Sequence, residues 1–428
     1  MCRRVDPWAR SGSCRSVDDR RRSPGRLADG TQRTVTEDPV IRIAARGDGV
    51  TAGGRHVPFG VPGDRLLDDG TLEHGPHHQV PPCRHFPECG GCQLQHVDDQ
   101  AYQEYLRSRV ETALAQHQLR AELREPHLSP PNSRRRATLH ALRTAGGTLI
   151  GFHGAKSHRI VDMRENHILC PKLLALVAPL RSLLGRMLKP RAGGEVQMTL
   201  VDQGVDLLLK GVVPEGLEAI EALTGFCTEQ KLARLSLDQG FGPEGFYEPV
   251  PATATFSGRP VSFPVGAFLQ ATADGEQALL DAVREITGEA LRTADLFAGL
   301  GTFALGLSGQ VYAAEASRDA VLSLKRAAPE IAADHRDLYR RPLDTQELGR
   351  FQAVVLDPPR SGAEAQVVNL AASAVAKVAY VSCNPATFAR DAAILVNGGY
   401  RLEWIKPVGQ FRWSTHVELV GCFSRGAA

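Results

Sequence analysis

The stretch Thr293-Ala-Asp295-Leu-Phe297-Ala-Gly299-Leu-Gly301-Thr-Phe-Ala304 carries an apolar strand into a glycine turn. Before it, residues 273–286 have helical spacing. After it come strand 311–315, helix 317–327 and strands 353–357 and 377–382. This alternation of strand and helix predicts an α/β doubly wound parallel sheet, a Rossmann-like arrangement. The last two apolar segments, 400–408 and 417–423, are joined by a loop without helical pattern, so they are expected to run antiparallel.

Outward from this core, the 428-residue chain is too long for one ordinary domain, and its 43% hydrophobic content supplies more than one core. We read four segments. Residues 1–38, rich in arginine and without apolar periodicity, read as a disordered basic tail. Short alternating strands with glycine turns read as a small β-barrel over 39–80. Residues 81–265 form a central α+β domain, with a helix over 100–119, strands at 135–143, 148–152 and 159–162, a leucine-rich helix over 171–188 and a hairpin around Asp202-Gln-Gly204. The doubly wound sheet occupies 266–428.

A net charge of +2 excludes a polycation, so nucleic-acid contact must come from local patches. The first residues lack the apolar stretch of a secretory signal, and no apolar run approaches a membrane span. Nine cysteines in such a chain argue against a disulfide framework and for a cytoplasmic location. A monomer is expected, with no membrane partner.

A glycine turn after a first strand is shared by nicotinamide, flavin and adenosylmethionine folds, and Glu315 at the end of the next strand suits ribose hydroxyls in each. Asp357-Pro-Pro-Arg360 separates them. An acidic residue followed by prolines at the end of the fourth strand is an adenosylmethionine-enzyme arrangement, and the dehydrogenase is the lesser reading. Cys83-Arg-His-Phe-Pro-Glu-Cys89-Gly-Gly-Cys92 supplies three thiols in a Gly/Pro loop, with Cys170 the natural fourth. Four thiolates satisfy either an iron–sulfur cluster or zinc. Cys2, Cys14, Cys227 and Cys422 read as ordinary residues.

In Ala379-Tyr-Val-Ser-Cys383-Asn-Pro-Ala-Thr387, a cysteine stands where a strand is stopped by Asn384-Pro385. Thr415-His416-Val417-Glu418 opens the last strand. A thiol and a carboxylate at strand ends are what covalent carbon methylation requires: Cys383 as nucleophile and Glu418 as general base. With Phe268-Leu-Gln270, the glycine turn and the cysteine set in this order, residues 40–423 resemble the RNA uracil-carbon-5 methyltransferases acting on 23S rRNA and tRNA.

That resemblance implies a class I methyltransferase sheet, S-adenosylmethionine bound by Gln270, Phe297, Glu315 and Asp357, and a 4Fe-4S cluster on Cys83, Cys89, Cys92 and Cys170. It also implies a TRAM-like RNA-binding module near the N-terminus. The cysteine set favours 23S rRNA as the partner, with tRNA or a non-catalytic RNA-binding role as alternatives. Arg134-Arg135-Arg136 and the run Lys156-Ser-His158-Arg159 are candidate RNA contacts. Three features depart from the family pattern. The first module is short, with strands missing between Asp69 and Cys83. Thr272 replaces the common asparagine, and Arg412-Trp413 replaces a proline-containing loop.

Overall fold

The fold is a computed structural model that describes residues 38–426. The reading of 1–38 as a disordered tail falls outside this range except at Asp38, which opens a strand and accepts hydrogen bonds from Gly53 and Arg55.

Strands Asp38–Ile43, Gly49–Thr51, His56–Val57, Arg65–Leu66 and Leu72–Glu73 form a five-stranded antiparallel sheet with Asp38–Ile43 at its centre. Val40, Ile43, Val50 and Val57 turn inward from it. The two-residue strand Leu72–Glu73 lies within the interval from which strands were expected to be missing.

Helix α1 (Asp99–Gln116) starts at Asp98, whose carboxylate accepts the Ala101 N–H at 2.8 Å. Its buried face, Tyr102, Tyr105, Leu106, Val110 and Leu114, follows helical spacing. A six-stranded sheet follows in the order Pro243–Tyr247, Arg234–Asp238, Gly204–Lys210, Gly193–Val201, Arg136–Thr144, Gly147–Gly151. Helix α2 (Pro171–Met187) packs its leucines on this sheet. The expected hairpin turns at the Val201–Gly204 pair. Residues 159–162 make only an isolated bridge, Ile160 to His153, rather than a strand. Val161 and Met163 bond to the Phe152 and Ile150 carbonyls without a continuous ladder.

The large sheet contains β1 (Arg292–Leu296), β2 (Gln310–Glu315), β3 (Ala332–His335), β4 (Ala353–Leu356), β5 (Lys377–Ser382), β6 (Arg401–Gly409) and β7 (Glu418–Ser424). Their spatial order is β3-β2-β1-β4-β5-β7-β6. The first five are parallel, whereas β7 is antiparallel to both β5 and β6. The expected doubly wound core and antiparallel pair are both present. Helix α3 (Ala273–Thr287) lies on one face of the sheet and α4 (Pro385–Asn397) on the other. The segment 81–265 is not packed as one piece. Its α1 joins Tyr380, Phe388 and Phe423 in the large-sheet core, and Glu122–Leu123 and His127–Leu128 pair along β6.

Candidate active site

Inserting antiparallel β7 beside β5 fixes the site. Ser382 of β5 is the register partner of Leu419 of β7, so Cys383, just past one strand, and Glu418, opening the other, meet at the same sheet edge. That is also the edge where β1, β2 and β4 end, the usual ligand side of an open α/β sheet.

After β1 the chain turns sharply. Phe297 takes the left-handed conformation (φ 67°), and both Phe297 and Ala298 donate to the Ala314 carbonyl. Two carboxylates hold the turn. Asp295 accepts the Ala304 N–H at 2.8 Å, and Glu315 accepts those of Gly299 and Ser317 at 3.0 and 2.6 Å. Gly299 and Gly301 both have positive φ, which glycine adopts without strain. A cavity of about 680 Å³ opens over this turn, and Gln270, Phe297, Glu315, Asp357, Cys383 and Glu418 all line it. Arg136, Arg360, His416 and Tyr339 complete its rim.

The thiol loop and the prolyl loop are tied together. Asn384 caps α4 by accepting the Ala386 N–H, while its amide and the Thr387 hydroxyl donate to the Arg360 carbonyl at 3.0 and 3.1 Å. The Arg360 guanidinium thereby reaches the His416 ring at 2.8 Å and lowers the Cys383 pKa by hydrogen bond and charge. Burial, with Glu418 and Asp357 beside it, outweighs this and holds the thiol above its ordinary value. Burial and Asp357 push Glu418 up to about 8, while burial and Glu315 push Asp357 up to about 7. Burial and neighbouring arginines lower the His416 pKa. A buried carboxyl cluster of this kind favours a cationic ligand, and the glycine turn leaves room for a nucleoside. The residues present fit a sulfonium nucleoside.

The arginine run is not an outer surface. Arg135 pairs with Glu276 at 2.5 Å and donates to the Gln270 carbonyl. Arg134 is half-buried over the Phe411 ring, and Arg136 sits 4.4 Å over Phe268 at the cavity rim. The charge run enters the first strand of the central sheet where that strand meets Gln270 and Ala271, which leaves it half-buried. Lys156, His158 and Arg159 stay exposed.

Cys83, Cys89 and Cys92 line one small cavity with Phe152 and Met163. The Gly91 N–H donates to the Cys89 sulfur at 3.4 Å. Burial raises all three thiols, Cys92 to about 12. Cys170 begins α2, buried in the same apolar core as Cys92, but it is not part of the cavity wall. Among the described residues, no three His, Cys, Asp or Glu side chains gather tightly enough to hold a metal ion. Just after the loop, the chain bonds to the connection between β6 and β7. The Trp413 carbonyl accepts the N–H groups of Gln93 and Leu94, both at 2.9 Å.

A family model described as tRNA (Uracil-5-)-methyltransferase matches residues 333–425. An uncharacterized RNA methyltransferase of Zymomonas mobilis is 50% identical, over 90% of this chain and 99% of that protein. The 23S rRNA (uracil(1939)-C(5))-methyltransferase RlmD of Thiobacillus denitrificans is 30% identical, over 81% of this chain and 85% of that one. In fold the chain is similar to the crystal structure of Pyrococcus abyssi tRNA (uracil-54, C5)-methyltransferase in complex with S-adenosyl-L-homocysteine. The TM-score is 0.70 at 22% identity, covering 90% of this chain and 99% of that one. That likeness shows the methyltransferase fold. No helix among the described residues is long and apolar enough to cross a membrane.

Proposed function

The chain belongs to the RNA uracil-5-methyltransferase family, and from that premise we propose that it methylates carbon 5 of a 23S rRNA uridine through a covalent cysteine adduct. The observation that carries the mechanism is the meeting of Cys383 and Glu418 at adjacent strand ends inside one cavity. Gln270, Phe297, Glu315 and Asp357 are the proposed walls for S-adenosylmethionine, the methyl donor.

Carbon 5 of uracil is a weak nucleophile. In the proposed reaction the Cys383 thiolate adds to carbon 6, which makes carbon 5 electron-rich enough to attack the sulfonium methyl. Methyl transfer breaks the sulfur–methyl bond and leaves S-adenosylhomocysteine. Glu418 then takes the carbon-5 proton, the 5,6 double bond re-forms, and the Cys383 thiolate is expelled. Arg360 stabilises the thiolate at both ends of the cycle. The uridine must leave its stack to enter the cavity.

Cys83, Cys89, Cys92 and Cys170 are the proposed ligands of a 4Fe-4S cluster. Three thiols around one cavity, a backbone N–H on one sulfur and a fourth cysteine in the adjoining core support that set. When bound, such a cluster supplies iron–thiolate bonds that cross-link the 83–92 loop to the start of α2. The N-terminal sheet and the exposed Lys156–Arg159 run are proposed RNA contacts, and the proposed setting is the cytoplasm.

Mapping 5-methyluridine in 23S rRNA and tRNA from a strain lacking the gene, beside its parent, tests the assignment. Loss at one 23S rRNA uridine is expected. Loss in tRNA alone would keep the chemistry and overturn the substrate, and no loss in either would overturn the function.

A further inference from the structure

The Arg412-Trp413 pair, which departs from the family pattern, lies in the connection between β6 and β7. Trp413 belongs to the large sheet by chain order but not by packing. Its side chain is 4% exposed and sits in the apolar core of the central sheet, with Cys92, Met163 and Cys170. Its backbone is left-handed (φ 57°), a conformation that a bulky residue keeps only where its surroundings impose it. Here they do. Its carbonyl takes the N–H groups of Gln93 and Leu94, and the Arg412 guanidinium lies 4.8 Å over the ring.

Bonds on either side of the indole close the connection around it. The Tyr102 hydroxyl, from α1, lies 3.2 Å from the Phe411 carbonyl and 3.0 Å from that of Ser414, and donates between them. The Ser414 N–H also donates to the Phe411 carbonyl at 3.0 Å, and the Ser414 hydroxyl accepts the His416 N–H at 3.2 Å. Arg412 donates to the Ser129 carbonyl at 3.1 Å and pairs with Asp99. Two rings leave this strap for the catalytic cavity: Phe411 and His416, 5.4 Å apart, both line it. They stand at its reactive end. His416 meets the guanidinium of Arg360, whose carbonyl is tied to Asn384 beside Cys383, and Glu418 follows two residues later.

We propose that Trp413 is a positioning residue: seated in the central core, it sets the β6–β7 connection so that Phe411 and His416 wall the cavity where the target uracil meets Cys383. The inference rests on the proposed cysteine-adduct reaction. The cofactor end does not share this seat, because the glycine turn and Glu315 are held by their own hydrogen bonds. Loss of the seat therefore acts on one end of the cavity and spares the other.

The test times adduct formation on 23S rRNA transcribed with 5-fluorouridine, whose carbon-5 fluorine cannot leave as a proton, so the covalent product persists. S-adenosylmethionine affinity is measured beside it by calorimetry. Trp413→Leu is expected to form adduct roughly tenfold more slowly than the parent, with S-adenosylmethionine affinity within about twofold. Trp413→Phe keeps an aromatic ring and removes an indole N–H that is buried without a partner, so it is expected to recover most of the rate. Tyr102→Phe deletes only the hydroxyl between the two carbonyls, and it serves if the leucine variant does not fold. It is expected to slow adduct formation in the same pattern. A parental rate in Trp413→Leu, or in Tyr102→Phe where that variant stands in, overturns the proposal. A parallel loss of cofactor affinity and adduct formation marks a general loosening and overturns it too. No adduct with the parent protein itself would overturn the reading of the reaction, and the proposal with it.

Discussion

Cys383 and Glu418 stand at opposite ends of one step of the sheet: the thiol follows Ser382, the carboxyl precedes Leu419, and Ser382 and Leu419 are register partners. A parallel β7 would have put the carboxyl at the far edge. If the two act in sequence, their variants must fail differently. Cys383→Ala is expected to abolish both methylation and the covalent adduct. Glu418→Gln is expected to lose about 10²–10⁴-fold in turnover while the adduct persists. Equal loss of adduct in both variants, seen on a denaturing gel, would remove the division of labour.

Activity should rise with pH through the neutral range. Glu418 must be ionised to take a proton, and in the ligand-free protein burial and Asp357 push it up to about 8. The Cys383 thiol, raised by burial and the same carboxyls, must ionise too. Below these values both groups hold protons, so kcat/KM is expected to climb with pH through about 8 and to go on climbing until the thiol is ionised too. The positive sulfonium favours the ionised forms, so the kcat limb should sit at lower pH than that of kcat/KM. A flat profile between pH 6 and 8 would contradict this reading.

Strand-end chemistry was legible in the sequence because local signals mark it. Asn384-Pro385 stops β5 after Cys383, and the glycine turn and Asp357-Pro-Pro mark the other strand ends. What joins those ends was not legible. Arg360 meets His416 across 56 residues, and Gln410 meets Gln270 across 140, through a strand order that no local pattern encodes. The placement of α1 was hidden for a related reason. Periodicity shows that a helix has an apolar face, not which core receives it. The Arg134–Arg136 run resembled a solvated basic patch, and only tertiary contacts with Glu276, Phe411 and Phe268 show it to be half-buried.

Asp295 should make the protein less stable as pH rises. Burial pushes its carboxyl up to about 8, and one of its oxygens has no partner. An unfolded aspartate ionises near 3.9, so between that value and about 8 the unfolded chain holds fewer protons than the folded one. Stability therefore falls as pH increases across this window. Asp295→Asn keeps the acceptor for Ala304 and cannot ionise. It is expected to melt with the parent near or below pH 4 and several degrees above it near pH 8.5. The same shift at both pH values would show that ionisation is not the cause.

Arg135 should behave as a structural residue rather than an RNA contact. It pairs with Glu276, whose pKa burial keeps raised, and it braces the Gln270 carbonyl. Arg135→Ala strands a half-buried carboxyl and is expected to cost about 3 kcal/mol of stability, read by denaturant unfolding. S-adenosylmethionine binding should weaken with it. The salt dependence of RNA binding should keep its slope, because no phosphate contact is lost. A slope reduced by about 1 would restore Arg135 to the RNA interface.

The cysteine set makes the last prediction. Cys83, Cys89 and Cys92 all have raised pKa values, with burial the first cause in each. A metal centre needs them as thiolates, so loading must release protons and tighten as pH rises. Anaerobic reconstitution with iron and sulfide is expected to give about four irons per chain, with visible charge-transfer absorbance. Cys92→Ser and Cys170→Ser should each lose most of that iron, whereas Cys227→Ser, in the same apolar core but away from the cavity, should keep it. The informative variant is Cys170→Ser, since Cys170 lies outside the wall formed by the other three. Full iron in that variant would mean a three-thiol site with a different fourth ligand. One zinc per chain in the purified parent would replace the cluster with a structural ion, and the three thiols would then have to close up from their present spacing.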